Sequence, residues 1–270
     1  MNQALQTPEL LTRILTIVHD DGVSVRRSPL THLARVNSLW REIVQRIIWT
    51  APPAEALANI ARSRRQLFAS YIKHLDFGGG GGRDPTLHTL FANLEFPRLR
   101  ELALSNLPAE LLNHQNMGPL VGWGLTVSQY LQPTLEDLEV LSWDSICTAS
   151  FFEQISDRCP QLKRIHLSGI GAHLQPDDFL SFFKASCRLE TIKLNLGQNF
   201  LKSVLVTGEL LLHLSRMAKL IYLELNNPLN QPEFFEIIRD QNSTPFTNLT
   251  KVVLTVSALL LCSLFRACFP

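Results

Sequence analysis

One hexapeptide pattern, apolar-x-x-apolar-x-apolar, recurs seven times and limits what this chain can fold into. It reads Ile72-Lys73-His74-Leu75-Asp76-Phe77, then Leu99-Arg100-Glu101-Leu102-Ala103-Leu104, then Leu135-Glu136-Asp137-Leu138-Glu139-Val140. It continues as Leu162-Lys163-Arg164-Ile165-His166-Leu167, Leu189-Glu190-Thr191-Ile192-Lys193-Leu194, Leu220-Ile221-Tyr222-Leu223-Glu224-Leu225 and Leu249-Thr250-Lys251-Val252-Val253-Leu254. Successive copies start 27, 36, 27, 27, 31 and 29 residues apart. Self-similarity at a period of this size marks a solenoid of stacked units.

In a strand, alternate side chains face opposite ways. The fourth and sixth positions of each copy are apolar and point inward. The first packs from the turn before the strand, and the third and fifth point out. Three apolar side chains cannot offset the ordering of a whole repeat, so each unit needs its neighbours on both flanks. The product is a curved parallel sheet with helices on the outer side. Helix signals lie between the copies. Pro176-Asp177-Asp178 places proline at a first helical position and acids in the first turn, and Phe179, Phe182 and Phe183 follow on one face. Pro232-Glu233 followed by Phe234, Phe235, Ile237 and Ile238 repeats the arrangement, and Phe151, Phe152 and Ile155 are a third case. These phenylalanines read as core of the outer helices rather than as an aromatic ligand site.

Leu-x-x-Leu-x-Leu is the strand core of the leucine-rich repeat, and residues from about 70 to the end resemble that family. Parallel stacking then sets the outward residues in columns on a concave face. Asp137 and Glu139, Arg164 and His166, Lys193, and Tyr222 with Glu224 are the candidate partner-binding residues there. The face changes from acidic near 137–139 to basic near 164–166 and 193. Arg164 and Tyr222 are the first choices for contact, because arginine and tyrosine are favoured interface anchors.

The first fifty residues read differently. Thr7 can cap a helix, Pro8 suits its first turn, and Glu9 meets the positive end of its dipole. Leu10, Leu11, Ile14, Leu15 and Val18 continue an apolar face until Asp20-Asp21-Gly22. A second apolar-periodic stretch covers Leu30, Leu33, Val36, Leu39, Trp40, Ile43, Val44 and Ile47 and closes at Trp49, before Pro52-Pro53. Pro-Glu-Leu-Leu-x-x-Ile-Leu from Pro8 is similar to the opening helix of an F-box. Leu33-Ala34-Arg35-Val36-Asn37-Ser38-Leu39-Trp40-Arg41-Glu42-Ile43 is similar to that family's second half, and Trp49 matches its frequent closing tryptophan. Asn37 and the long Asp20–Pro29 loop depart from the family pattern.

The two resemblances imply an α/β leucine-rich-repeat solenoid, strands concave and helices convex, preceded by a small all-α F-box-like domain. The expected boundaries are residues 1–52 for that domain, 53–70 for a linking helix and 71–270 for about seven irregular repeats. The implied role is a non-catalytic substrate receptor of a cullin–RING (SCF-type) ubiquitin ligase. The F-box would hold the Skp-type adaptor through Pro8, Glu9, Leu10, Leu11, Ile14, Leu33, Val36, Leu39, Trp40 and Ile43. The repeats would hold an as yet undefined protein substrate. Two other readings of residues 5–50 remain open: a helical cap on a plain repeat scaffold or inhibitor, and a helix-turn-helix DNA binder, against which Glu42 interrupts the Arg35/Arg46 surface.

Bulk numbers narrow the classes further. The chain has 270 residues, 46% of them hydrophobic, with 25 Lys+Arg against 24 Asp+Glu. A formal charge of +1 argues against a nucleic-acid or anionic-membrane partner. No signal peptide or bilayer-spanning stretch is expected, and five cysteines without a CxxC pair read as reduced core residues of a cytoplasmic or nuclear protein. The eight histidines form no HExxH or i, i+4 pair. No metal, cofactor or catalytic residue is expected, although His166 and Asp137 are candidates for proximity on the sheet.

In the 53–70 segment, Leu57, Ile60, Leu67 and Phe68 are the expected buried set. Arg62, Arg64 and Arg65 are expected to be solvated or to bridge to the first repeat. Gly78–Gly82 is followed by Arg83-Asp84-Pro85 rather than by a lysine and a hydroxyl residue, so it reads as a connection and not a phosphate loop. The long step from 99 to 135 predicts an insertion around Trp123. The apolar tail from Ala258 is read as a crude cap or as the sign of a shortened chain.

Overall fold

The computed structural model describes residues 7–20, 30–77, 85–105, 129–141, 149–169, 174–195, 205–229, 246 and 248–256. The Gly78–Gly82 run, the Trp123 insertion, the Pro232 helix signal and the tail from Ala258 lie outside them.

The chain is α/β with a seven-stranded parallel sheet. The strands are β1 (His74–Asp76), β2 (Glu101–Ser105), β3 (Asp137–Leu141), β4 (Arg164–Ser168), β5 (Thr191–Asn195), β6 (Tyr222–Leu229) and β7 (Lys251–Val256). Their order in the sheet is their order in the chain. Each hexapeptide lies in register with the next: His74 opposes Glu101, which opposes Asp137, then Arg164, Thr191, Tyr222 and Lys251.

Alternation explains which face is covered. Leu75, Leu102, Leu138, Ile165, Ile192 and Leu223 are buried, as are the sixth-position residues Phe77, Leu104, Val140, Leu167, Leu194 and Leu225. Each such side chain contributes roughly 1.5–3 kcal/mol relative to exposure. The intervening residues lie half-buried or exposed on the other face. A parallel connection needs a crossover, and the described crossover helices are Pro85–Phe91, Ala149–Arg158, Pro176–Ala185 and Gly208–Ser215. All four share one hydrophobic core with the inward strand residues. Phe152 packs on Phe179 and Phe182 of the next helix, with ring centroids 5.7 and 4.8 Å apart. The expected phenylalanine core is therefore present for Phe151, Phe152, Phe179, Phe182 and Phe183. Val252 holds the register position of Leu223 yet is 46% exposed, because β7 has β6 on one side only among the described residues.

The N-terminal region folds on a core of its own. Helices α1 (Pro8–Asp20), α2 (Leu30–Leu33) and α3 (Ser38–Ile48) bury Leu11, Leu15, Leu30, Ile43, Val44 and Ile47 together. The apolar periodicity from 30 to 47 suggests one stretch, but two helices form. Asn37 is extended, and its side-chain oxygen accepts from the Trp40 amide at 2.9 Å, which starts α3 afresh. The segment expected as one linking helix is likewise two, α4 (Ala54–Ala58) and α5 (Arg62–Ala69). Arg65 donates to the carbonyls of Ala58 at 2.8 Å and Ile60 at 2.9 Å, so it fastens the α4–α5 turn rather than bridging two domains. Leu57 and Phe68 are buried as expected, but Leu67 is 51% exposed because α5 turns it to solvent.

The junction to the sheet has a backbone cause. In each of the first six repeats, the carbonyl of the residue before the strand accepts from two successive amides of the next repeat. Lys73 receives Arg100 and Glu101, Arg100 receives Glu136 and Asp137, and the pattern continues to Ile221, which receives Thr250 and Lys251. Thr50 takes the same place ahead of β1: its carbonyl accepts from Lys73 at 2.8 Å and His74 at 3.0 Å. Pro53 also forms a parallel bridge with Asp76, and Trp49 packs on Phe68 with centroids 4.5 Å apart and the rings tilted by 36°.

Candidate interaction surfaces

Helix α1 divides its apolar residues between two sides. Leu11 and Leu15, four apart, face the small core and are buried. Leu10, Ile14 and Ile17, spaced by four and three, form a second stripe that is 47, 45 and 54% exposed. Val36, in the turn between α2 and α3, is 46% exposed. Pro8 and Glu9 are exposed, while Leu33, Leu39 and Trp40 are half-buried against the small core. Leu11 and Ile43 are thus corrected from contact residues to core residues, because α1 and α3 pack through them. Ile17 was missed, although its spacing from Leu10 and Ile14 was readable.

The open face of the sheet carries the predicted columns, and the register fixes what each residue meets. Asp137 lies opposite Arg164, whose Nε donates at 2.7 Å, and the same guanidinium reaches Glu101 at 3.4 Å. Asp137 therefore raises the Arg164 pKa. His166 opposes Glu139 and is hydrogen-bonded to it at 2.8 Å, so the expected proximity of His166 to Asp137 is replaced by this pair. His74 meets Glu101 at 2.7 Å. Beside the strands, Lys163 donates to Glu136 at 2.9 Å and holds its carboxyl below the usual carboxylate range. The predicted switch from acidic to basic is therefore a set of pairs, Asp137 with Arg164, Glu139 with His166 and, beside the strands, Glu136 with Lys163, each one repeat on.

The far end of the face is organised around Tyr222. Its hydroxyl donates to Glu224 at 2.7 Å, which raises the phenol pKa and lowers that of the carboxyl, and the Asn226 amide adds a second donor to Glu224. The ammonium groups of Lys193 and Lys251 lie 5.6 and 5.3 Å from the Tyr222 ring centre. Neither lysine has a carboxylate within ion-pair distance among the described residues.

Among the described residues no three His, Cys, Asp or Glu side chains are placed to hold a metal ion. Cys159 is buried, which pushes its thiol up to about 12, so it is a poor nucleophile at neutral pH. Cys187 is exposed rather than in the core. No helix among the described residues is long and apolar enough to cross a membrane. Comparison with protein-family models and with curated proteins found no match.

Proposed function

We propose that the chain is a leucine-rich-repeat solenoid behind an F-box-like domain, and that it acts as the non-catalytic substrate receptor of an SCF-type ubiquitin ligase in the cytoplasm or nucleus. The observation that carries this reading is the stripe of Leu10, Ile14 and Ile17, exposed on a helix that already has a complete core beneath it. A Skp-type adaptor would cover that stripe. Sequential parallel strands with helices on one face support the solenoid part, since a doubly wound sheet is covered on both faces. The face that the described helices leave uncovered, with Arg164 and Tyr222 on it, would receive the substrate. Tethering it near the ubiquitin carrier raises effective concentration without any catalytic group in this chain.

The test is binding of the purified chain to the Skp-type adaptor, beside a Leu10→Asp, Ile14→Asp variant that leaves the core residue Leu11 intact. Micromolar or tighter binding by the wild type, lost in the folded variant, supports the receptor reading. Absence of binding by the folded wild type favours a repeat scaffold with a helical cap. That second reading draws on the junction, where Thr50 and Pro53 cover the β1 edge as a cap does.

A further inference from the structure

The chain leaving α3 joins the first strand through Thr50, and a cleft of about 670 Å³ is lined there by α1, α3 and the start of the sheet region. Its make-up differs from that of the sheet face. α1 lines it with Thr12, Thr16 and His19, residues four and three apart on one helical side. From α3 comes Arg46, and the start of the sheet region brings Lys73 and Arg98. Three permanent cations thus face one cleft, whose only lining carboxylate among the described residues is Glu42, and Glu42 is taken up by Arg46 one helical turn away. Lys73 and Arg98 have no carboxylate within ion-pair distance among the described residues.

We propose that this cleft is a binding site for a phosphate group, carried by a small molecule or by a phosphorylated side chain. Placing Lys73 and Arg98, both without a carboxylate partner among the described residues, beside Arg46 around one concavity costs repulsion that a bound anion relieves, and the apolar walls of Leu39, Ile43 and Ile47 strengthen that attraction. Guanidinium and ammonium groups together suit a doubly charged, multi-oxygen anion better than a single carboxylate. The volume exceeds a bare phosphate and leaves room for the group that carries it. The site joins the helical domain to the first repeat, so a bound anion would stiffen that junction. It is independent of whether an adaptor covers the α1 stripe.

Calorimetric titration of the full chain tests the proposal with two probes, inorganic pyrophosphate and a short phosphoserine peptide, the latter beside its unphosphorylated form. Saturable one-to-one binding of either probe is expected. It should weaken at least about tenfold in Lys73→Ala, Arg98→Ala and stay unchanged in Lys219→Ala, an exposed lysine elsewhere. The single variant Arg98→Gln should give an intermediate loss, which keeps the test decisive if the double variant melts early. The tighter probe identifies the carrier. Failure of both probes to bind saturably, or binding that survives the double variant, overturns the proposal.

Discussion

The helical domain and the sheet treat their surfaces by opposite rules. In α1 to α3, six apolar residues make a core while Leu10, Ile14, Ile17 and Val36 stay outside. In the sheet, the inward rows of β1 to β6 are buried and most charges on the open face are matched one repeat away. The first surface is unfinished in water, and the second is largely finished by itself. Binding at α1 should therefore be driven by apolar burial and be nearly indifferent to salt, whereas binding at the sheet face must displace existing ion pairs and should weaken as salt rises.

The contrast can be broken most severely from inside the sheet. Leu138→Ala should lower stability by about 2–5 kcal/mol in urea denaturation, since Leu138 is fully buried between two neighbouring repeats. Next is acidification. His88 is buried between Phe77 and Tyr130, 3.2 Å from the Tyr130 hydroxyl, and its Nε2 has no hydrogen-bond partner among the described residues. Burial lowers its pKa from 6.5 to about 4. The unfolded chain takes up this proton below about pH 6.5, while the folded chain resists until about pH 4. Stability is thus complete above pH 6.5 and falls by an amount on the order of 3 kcal/mol towards pH 4. Urea midpoints across this range should slope less in His88→Leu; equal slopes would remove His88 from the account.

Smaller effects sharpen the comparison. Asn37→Ala deletes the α3 cap and should cost about 1 kcal/mol, read as earlier melting of the helical domain. Arg164→Ala should cost no more than about 1 kcal/mol, because its pairs are solvent-exposed, and the cost should shrink in added salt. Leu10→Asp, Ile14→Asp should leave stability within about 0.5 kcal/mol of wild type. A loss like that of Leu138→Ala would show the α1 stripe to be structural.

The period made the sheet legible. Steps near 29 residues fix which strands neighbour each other, and alternation then fixes the rows, so the face holding Asp137, Arg164 and Tyr222 was readable without coordinates. Salt pairing within those rows was not, since it depends on rotamers that reach diagonally, as Arg164 does to Glu101. On α1, Leu10 and Leu11 are adjacent in sequence, and their fates differ by about a 100° rotation that only the docking of α3 decides. The break at Asn37 had a local signal, an asparagine ahead of a helical run, overridden by apolar spacing that happened to continue across the turn. His88 had none, because its burial comes from Tyr130, which lies 42 residues away. Nor had Thr50, whose part is played by a main-chain oxygen that every residue possesses.

That oxygen bears on how the molecule avoids its own kind. A parallel sheet ends in a row of unsatisfied main-chain groups, the template on which chains add to one another and grow into aggregates. At the β1 border the Thr50 carbonyl occupies the first amides, and the adjoining Pro53 has no N–H of its own to offer an incoming strand. Removing residues up to 53 would therefore do more than delete a helical module. It would bare a strand border that the intact chain keeps closed, and the remaining sheet should gain size with concentration in light scattering.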